Sequence, residues 1–547
     1  MKHVRFLYRS FVILLLLGVL NPAHAFATNC EALASMTISH IEITSATEVA
    51  AGKFKPLTKS EPGEPAELSE SVPAFCRVVG VAQPTNDSVI NFEVWLPAPS
   101  AWNKKFEGVG NGGYIGSISY GAMENAINRG YATASTDTGH IGSDLRFAAG
   151  HPEKIVDWGY RAIHVTAETA KLILRAYYGH PPQHSYFNGC STGGGQALSE
   201  AQRFPDDYDG IIAGDAGNDR VHLNAAFLWA FAATHNNGQL LLPESKLPLI
   251  NKAAIAACDK NDGLEDGIIA DPLQCHFDPG VLLCHGGQSE SCLTPTEVDA
   301  VRKIYAGPKD PRTGKRIIAG WAPGSETLTS GDYAGWKNYI LSGAEPARTD
   351  FWKYFVFDDP NWDWRTFDYD RDLAYADTKM AAVNASNANL QEFKAHGGKI
   401  LMYHGWVDPV GPPQDAIDYY ENVEQTMGGS KMTHDFFRLF LVPGMSHCNG
   451  GPGYMLAGGA RAGNDPENVP KAPNPDPDHD VLSALDQWVE RGTPPSQIIA
   501  VRHIPGSDDR SIPVCAYPLT AQLIKGGNAK DASGFRCIDQ GGEGGKQ

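Results

Sequence analysis

Residues 184–205, HSYFNGCSTGGGQALSEAQRFP, pass from an apolar stretch through a cluster of small residues into an amphipathic one, and YDGIIAGD (208–215) follows at once. HSYFNGCS reads as a short buried strand, GGQALSEAQRFP as a helix and YDGIIAGD as the next strand. Strands joined through a helix lie side by side and parallel, since an antiparallel pair needs only a tight turn. Parallel strands need cover on both faces. This half of the chain is therefore a mostly parallel α/β sheet flanked by helices.

Neighbouring segments agree. In VINFEVWL (89–96), Ile90, Phe92, Val94 and Leu96 alternate with Asn91 and Glu93, the period of a half-buried strand. GYATASTDTGH (130–140) is a further strand ending in a polar turn. Between 160 and 178, Ile163, Ala167, Ala170, Leu174 and Tyr177 fall at helical spacing, and Gly179 and Pro181 stop the helix. From about 216 to 394 helical stretches, an Asp/Cys-rich loop and a Trp/Tyr/Phe-rich segment replace the alternation. KILMYH (399–404) and FFRLFLVPG (436–444) resume buried strands, and VLSALDQWVERG (481–492) is a helix closing on Gly492. The economical organisation is one α/β core, residues 26–215 and 395–547, interrupted by an inserted lid at 216–394. No internal repeat is present, and NVPKAPNPDPDHD (468–480) reads as a surface loop.

Lys2, Arg5 and Arg9 precede a short apolar run from Phe11 to Leu20, and Ala23-His24-Ala25 offers a small-x-small cleavage site. Residues 1–25 therefore read as a secretory signal peptide. The run is too short for a membrane span, which needs about 20 residues, so no anchor is expected after its removal. The expected location is secreted or periplasmic. Net charge is −18, and losing residues 1–25 makes it more negative, which argues against nucleic acid and anionic membrane faces as partners. All ten cysteines follow the signal, and an even set in an oxidising compartment reads as a disulfide framework. C-x-x-C and H-E-x-x-H are absent, which argues against a zinc site.

Gly189-Cys190-Ser191-Thr192-Gly193 fits G-x-S-x-G at the strand-to-helix turn, where a sharp bend lifts a serine hydroxyl above the sheet. Small residues also fill such turns by simple packing, so the pentapeptide needs partners. A serine nucleophile requires a base and an acid to orient it, in the chain order Ser, acid, His for an α/β-hydrolase. Asp408, in YHGWVDPV, follows the 399–404 strand, and His447, in VPGMSHCNGG, follows the 436–442 strand. Singly, Asp408 is a turn residue before Pro409 and His447 a loop histidine; order and placement join them to Ser191. Asp137 and Asp215 also follow strands, but the first precedes the serine and the second adjoins its helix. Cys190 neighbours Ser191 and Cys448 neighbours His447, so a Cys190–Cys448 bond would staple nucleophile turn to histidine loop, with roughly 5 kcal/mol of chain-entropy stabilisation for so long a loop.

GVGNGGYIG (108–116) follows a strand and offers a bare backbone amide to a substrate oxygen; a phosphate loop would want a lysine after it. CDKNDGLEDGIIADPLQC (258–275) gathers Asp259, Asp262 and Asp266. Three such carboxylates repel unless a hard cation such as Ca²⁺ neutralises them. The EF-hand pattern fails at Gly263, and a solvated acidic turn is the alternative. Nine aromatic side chains crowd residues 351–369; they read as lid core, some of them walling an aromatic acyl site over Ser191.

GCSTGG, VDP and HC, together with WNKKFEGVGNGGYIG, STDTGH, AQRFPDDYDGIIAGD and LVPGMSHCNGGPG, resemble the tannase/feruloyl esterase family over essentially the whole chain after residue 25. The resemblance implies an α/β-hydrolase core with a large inserted lid, and a Cys-Ser, Asp, His-Cys arrangement whose two cysteines are bonded. It implies Ser191 as nucleophile, Asp408 as orienting acid, His447 as base, and the backbone N–H groups of Gly113 and Thr192 as oxyanion hole. It implies structural Ca²⁺ held by the side chains of Asp259, Asp262 and Asp266 and the carbonyls of Leu264 and Ile268. The remaining disulfides it implies are Cys30–Cys76, Cys258–Cys275, Cys284–Cys292 and Cys515–Cys537; short separations favour Cys258–Cys275 and Cys284–Cys292 independently.

The expected function is a secreted serine esterase cleaving carboxylic esters of aromatic acids, feruloyl or other hydroxycinnamoyl, through an acyl-enzyme. Its substrates would be small aromatic esters or plant cell-wall and polyphenol esters. Within the class, a tannase acting on galloyl esters and a hydrolase of terephthalate monoesters are alternatives. The latter needs a cation for its free carboxylate. Arg348 is the only arginine in 336–360, and Thr192 departs from the acidic residue associated with that type. Outside the class stand a non-catalytic secreted calcium-dependent binding protein, which the complete triad argues against, and a serine peptidase.

Overall fold

Nine strands form one sheet: β1 (Ile41–Val49), β2 (Phe75–Ala82), β3 (Ile90–Pro97), β4 (Lys105–Val109), β5 (Ala132–Thr136), β6 (His184–Cys190), β7 (Gly210–Gly214), β8 (Lys399–Gly405) and β9 (Phe437–Val442). The structure is a computed structural model, and it describes residues 29–55, 72–287, 289–328, 335–459, 475–504 and 506–539. The signal peptide expected at 1–25, and part of the loop expected at 468–480, lie outside the described residues. The spatial order is β1-β2-β3-β5-β4-β6-β7-β8-β9. From β5 to β9 every neighbour pairs in parallel; β1, β2 and β3 form an antiparallel flank.

The sequence explains this division. β7 is GIIAG and buried at every position, as a strand covered by helices on both faces must be. β1 buries only Ile43 and Ala46, as an edge strand half in solvent does. Three helices, α1 (Tyr120–Asn128), α2 (Ala162–Tyr178) and α3 (Thr192–Arg203), connect strands of this first half. α2 buries Ile163, Ala167, Ala170, Leu174 and Tyr177 and ends at Gly179, whose φ of 80° suits glycine. Each large aliphatic side chain buried in this way contributes about 1.5–3 kcal/mol.

Between β7 and β8 the chain leaves the sheet. Its helices α4 (Arg220–Thr234), α5 (Leu247–Cys258) and α6 (Pro295–Ala306) share a core containing Leu223, Phe227, Ile250, Val301, Trp321 and Trp336. The aromatic run that follows packs as a second cluster, with Phe351, Trp352 and Phe355 fully buried beside Tyr114 and Trp158 of the first half. Tyr114 stacks on Trp158 at 4.9 Å and meets Phe355 edge-on at 5.8 Å. This inserted segment thus packs on the glycine-rich loop after β4.

After β8 come α7 (Pro413–Met427), β9 and α8 (Val481–Arg491), then two antiparallel hairpins, β10 (Gln497–Arg502) with β11 (Arg510–Cys515) and β12 (Leu519–Leu523) with β13 (Phe535–Asp539). All ten cysteines are paired, in the combinations the family resemblance implies: Cys30–Cys76, Cys190–Cys448, Cys258–Cys275, Cys284–Cys292 and Cys515–Cys537. Among the described residues no helix is long and apolar enough to cross a membrane.

Candidate active site

Parallel strands deliver their functional residues at one edge, just beyond their C-terminal ends. Ser191 follows β6, Asp215 follows β7, Asp408 lies three residues past β8 and His447 five past β9. The loop carrying Gly113 follows β4 in the same way. Sequence positions more than 300 residues apart therefore meet along a single line of adjacent strands.

Ser191 sits at φ 63°, ψ −120°, a conformation costly for a side chain bearing a Cβ. The turn tolerates it because its neighbours are small. A Cβ on Gly189 would collide with the Gly193 carbonyl, and one on Gly193 would fall 3.1 Å from the Asn111 carbonyl oxygen. Ser191 N–H donates to the Gly214 carbonyl at 2.9 Å, and the Ser191 carbonyl accepts from Gly195 and Gly217 at 3.1 and 3.0 Å. The strained residue is thereby fixed from β7 and from its own helix. Thr192 opens α3, where first-turn N–H groups have no intrahelical acceptor and the helix dipole favours negative charge.

The opposing loop is held as firmly. Asn111 accepts from Gly193 N–H at 2.7 Å, and its side-chain amide donates to the carbonyls of Ser117 and Thr136 at 2.9 and 2.8 Å. Gly113 has φ 55°, the region glycine adopts without strain. Its carbonyl accepts from the Thr192 hydroxyl at 2.6 Å, so the two residues expected to form an oxyanion hole are directly bonded through groups other than their N–H.

His447 Nδ1 lies 2.7 Å from Asp408 Oδ2, both side chains being buried. With Nδ1 donating to the carboxylate, Nε2 is left as the basic nitrogen. Asp408 Oδ1 accepts from the N–H groups of Val410 and Gly411 at 2.7 and 3.1 Å. Burial alone would raise the Asp408 carboxyl, but the His447 charge and the hydrogen bonds of His404 and His447 hold it well below the usual carboxylate range. The acid is therefore ionised at neutral pH.

Two residues outside the expected triad complete this cluster. His404 Nε2 lies 3.2 Å from Asp408 Oδ2 and 3.8 Å from Asp215 Oδ1, and it donates to the Gly411 carbonyl at 3.0 Å. Burial opposes its charge, yet Asp215 and Asp408 raise it to about 9. Asp215 is raised to about 6, chiefly by burial, and its Oδ1 accepts from Gly405 N–H at 2.9 Å. One oxygen each of Asp215 and Asp408 and one nitrogen of His447 lie within 4.8 Å of one another. The Cys190–Cys448 bond passes beside Asp215, with the two Cα atoms 6.0 Å apart.

Away from this edge, the acidic loop folds back on itself. Asp259 accepts from the N–H groups of Asp266 and Gly267, Asp262 from Leu264, and Asp266 from Ile268, all between 2.9 and 3.2 Å. Burial, then the charges of Asp266 and Asp259, push the Asp262 carboxyl up to about 6. The Asp266 carboxyl is raised too, again first by burial, and carboxylate oxygens are the donors Ca²⁺ takes. Asp266 is shared with Arg502, 3.3 Å away on the C-terminal hairpin. A cavity bordered by Asp262, Leu273, Trp406, Tyr454, Val514 and Phe535 lies between this loop and those strands; Ser191, Asp408 and His447 do not line it.

The comparisons with known proteins agree with one another. A family model described as tannase and feruloyl esterase matches residues 76–538. An uncharacterized esterase of Xanthomonas campestris is 39% identical over 96% of this chain and 93% of its own. Feruloyl esterase C of Talaromyces stipitatus is 30% identical over 97% of this chain and 99% of its own. The crystal structure of feruloyl esterase B from Aspergillus oryzae superposes with a TM-score of 0.83 at 29% identity, covering 93% of this chain and 99% of that one.

Proposed function

The chain belongs to the tannase and feruloyl esterase family and is a carboxylic ester hydrolase; on that premise we propose that it cleaves esters of hydroxycinnamoyl-type aromatic acids through a Ser191–His447–Asp408 triad. The observation carrying this reading is the buried 2.7 Å contact between His447 and Asp408, at the sheet edge where a strained turn presents Ser191. His447 Nε2 takes the hydroxyl proton as Ser191 Oγ attacks the ester carbonyl. The Gly113 and Thr192 N–H groups receive the oxyanion. The carbon–oxygen bond to the alcohol then breaks and His447 protonates the leaving alkoxide. Water, deprotonated by His447, attacks the acyl-enzyme; the bond from the acyl carbon to Ser191 Oγ breaks, His447 returns the proton to Ser191 and the acid leaves.

Structural Ca²⁺ would be held by Asp259, Asp262 and Asp266 with the Leu264 and Ile268 carbonyls. When bound it supplies charge neutralisation to the lid loop; the triad chemistry runs on protein groups alone. The signal-like start of the sequence and the five disulfides support export to a secreted or periplasmic location.

The galloyl esters of a tannase fit the family equally well. A further reading is favoured by Arg348. Its Nη2 lies 3.8 Å from where a Cβ on Gly113 would stand, and its guanidinium sits 5.1 Å over Tyr114. Among the described residues it approaches the Tyr339 hydroxyl at 3.5 Å and pairs with no carboxylate. A substrate bearing its own free carboxylate, such as a terephthalate monoester or chlorogenate, would complete that cation. Steady-state kcat/KM on feruloyl, galloyl, chlorogenic and terephthalate esters decides among these, for wild type and Arg348→Gln. The main reading requires feruloyl esters to rank first, and turnover of none of the aromatic esters contradicts it. The Arg348 reading requires the substitution to depress carboxylate-bearing esters selectively; an equal effect on neutral esters sinks it.

A further inference from the structure

Arg220 opens α4 behind the nucleophile turn and is only 7% exposed. Among the described residues its guanidinium meets no carboxylate. Nη2 donates to the Thr192 hydroxyl at 2.9 Å, Nε has no acceptor, and the head lies 5.5 and 5.7 Å from the ring centroids of Tyr114 and Trp158. Tyr114 itself is anchored, its hydroxyl accepting from Asn224 at 3.0 Å. Burial first, and then the charge of another cation, Arg348, disfavour its charged form. An unpaired guanidinium is among the costliest groups to bury, and contact with aromatic faces offsets only part of that cost.

The contact with Thr192 explains its use. The Thr192 hydroxyl that accepts from Arg220 donates its own proton to the Gly113 carbonyl. A line of two bonds, guanidinium to hydroxyl to carbonyl, thus joins the two residues whose N–H groups form the proposed oxyanion hole. A charged donor at the head of such a chain polarises and strengthens the bond beyond it. We propose that Arg220 is a positioning residue of the oxyanion hole, acting through the Thr192 hydroxyl to hold Gly113 and Thr192 in register and directing a buried positive field at the site where the oxyanion forms. This rests on the reading of Gly113 and Thr192 as the two donors.

The test compares Arg220→Met, Thr192→Val, the double variant and Thr192→Ser on p-nitrophenyl acetate and methyl ferulate, with melting temperatures measured alongside. Thr192→Val removes the hydroxyl but keeps the shape and the N–H, and carries the test alone should Arg220→Met fail to fold. Each single variant should lose kcat by on the order of 10- to 100-fold, less than loss of an oxyanion donor outright, with KM changed less than about threefold. Because the two side chains act in one line, the double variant should be no worse than the more damaged single. Thr192→Ser, which returns the hydroxyl, should recover most of the turnover. Arg220→Met should melt no lower than wild type, since it removes an unpaired buried charge. Wild-type kcat in both single variants overturns the proposal. So do multiplying losses in the double variant, or a kcat loss in Arg220→Met that merely follows a lowered melting temperature. Ser191→Ala is run beside them. If it abolishes turnover while the others do not, only the Arg220 inference fails; if it leaves turnover intact, the serine-esterase reading fails with it.

Discussion

Replacing Cys190 and Cys448 together with alanine removes the covalent link between the nucleophile turn and the histidine loop, and leaves no free thiol beside Ser191. The bond spans 258 residues, for which loop-closure entropy gives about 5.5 kcal/mol at 25 °C. Unfolding entropy near 2.1 cal/mol/K per residue, over roughly 500 ordered residues, converts this to a melting temperature lower by about 5 °C. The kinetic effect has a different origin. Ser191 and His447 sit on separate strand-end loops, and a displacement of about 1 Å between reacting groups costs on the order of 10²-fold in rate. Cys284–Cys292 is the internal control: it lies in the lid and spans 8 residues, so its removal should cost about 2.5 kcal/mol and leave kcat in place. Calorimetry and ester turnover at 25 °C, far below either melting transition, read the two effects separately. A Cys190→Ala/Cys448→Ala enzyme that melts lower but turns over at the wild-type rate refutes the positioning argument. An unchanged melting temperature refutes the tether entropy.

Chelating Ca²⁺ should lower the melting temperature without lowering kcat at 25 °C. A ligand held at 100 times its Kd contributes about 2.7 kcal/mol, and native protein that contains no calcium and shows no thermal shift on its addition would contradict the assignment. His404→Gln should change how stability depends on pH. The wild-type histidine is raised to about 9 from its ordinary 6.5 by Asp215 and Asp408, against the effect of burial. The stability it contributes is therefore full below about pH 6.5 and is lost as pH rises through about 9. The melting-temperature gap between wild type and variant should shrink over that window, and a gap constant with pH would count against a charged His404.

Some of this was legible in the sequence because the signal is local. The strand, the glycines and the helix around Ser191 are contiguous, so the turn can be read without knowing what it faces. Asp408 and His447 each follow an apolar run closely enough that strand-end placement could be read from each segment separately. Other parts depend on contacts between distant segments. His404 reads as one more strand residue in KILMYH. It meets Asp215 only because β7 and β8 pair with Gly214 opposite Tyr403, which brings the next residue of each strand together. Arg220, following the helix-capping Asp219, has the outward look of a solvated charge; the rings it packs against, Tyr114 and Trp158, come from distant segments earlier in the chain. β1 is hard to read from the sequence for a local reason. A register shift between Ile43 and Ser45 breaks the two-residue period, so its buried residues, Ile43 and Ala46, stand three apart.

Acylation of Ser191 is tested most directly by trapping it. Wild-type enzyme mixed with a slow feruloyl ester and quenched in acid should carry one feruloyl group, and peptide mapping should place it on the fragment containing Ser191. Folded Ser191→Ala should carry none and should lose turnover by on the order of 10⁶-fold. An adduct mapped to any other residue, or ester turnover near the wild-type rate in folded Ser191→Ala, would contradict the triad.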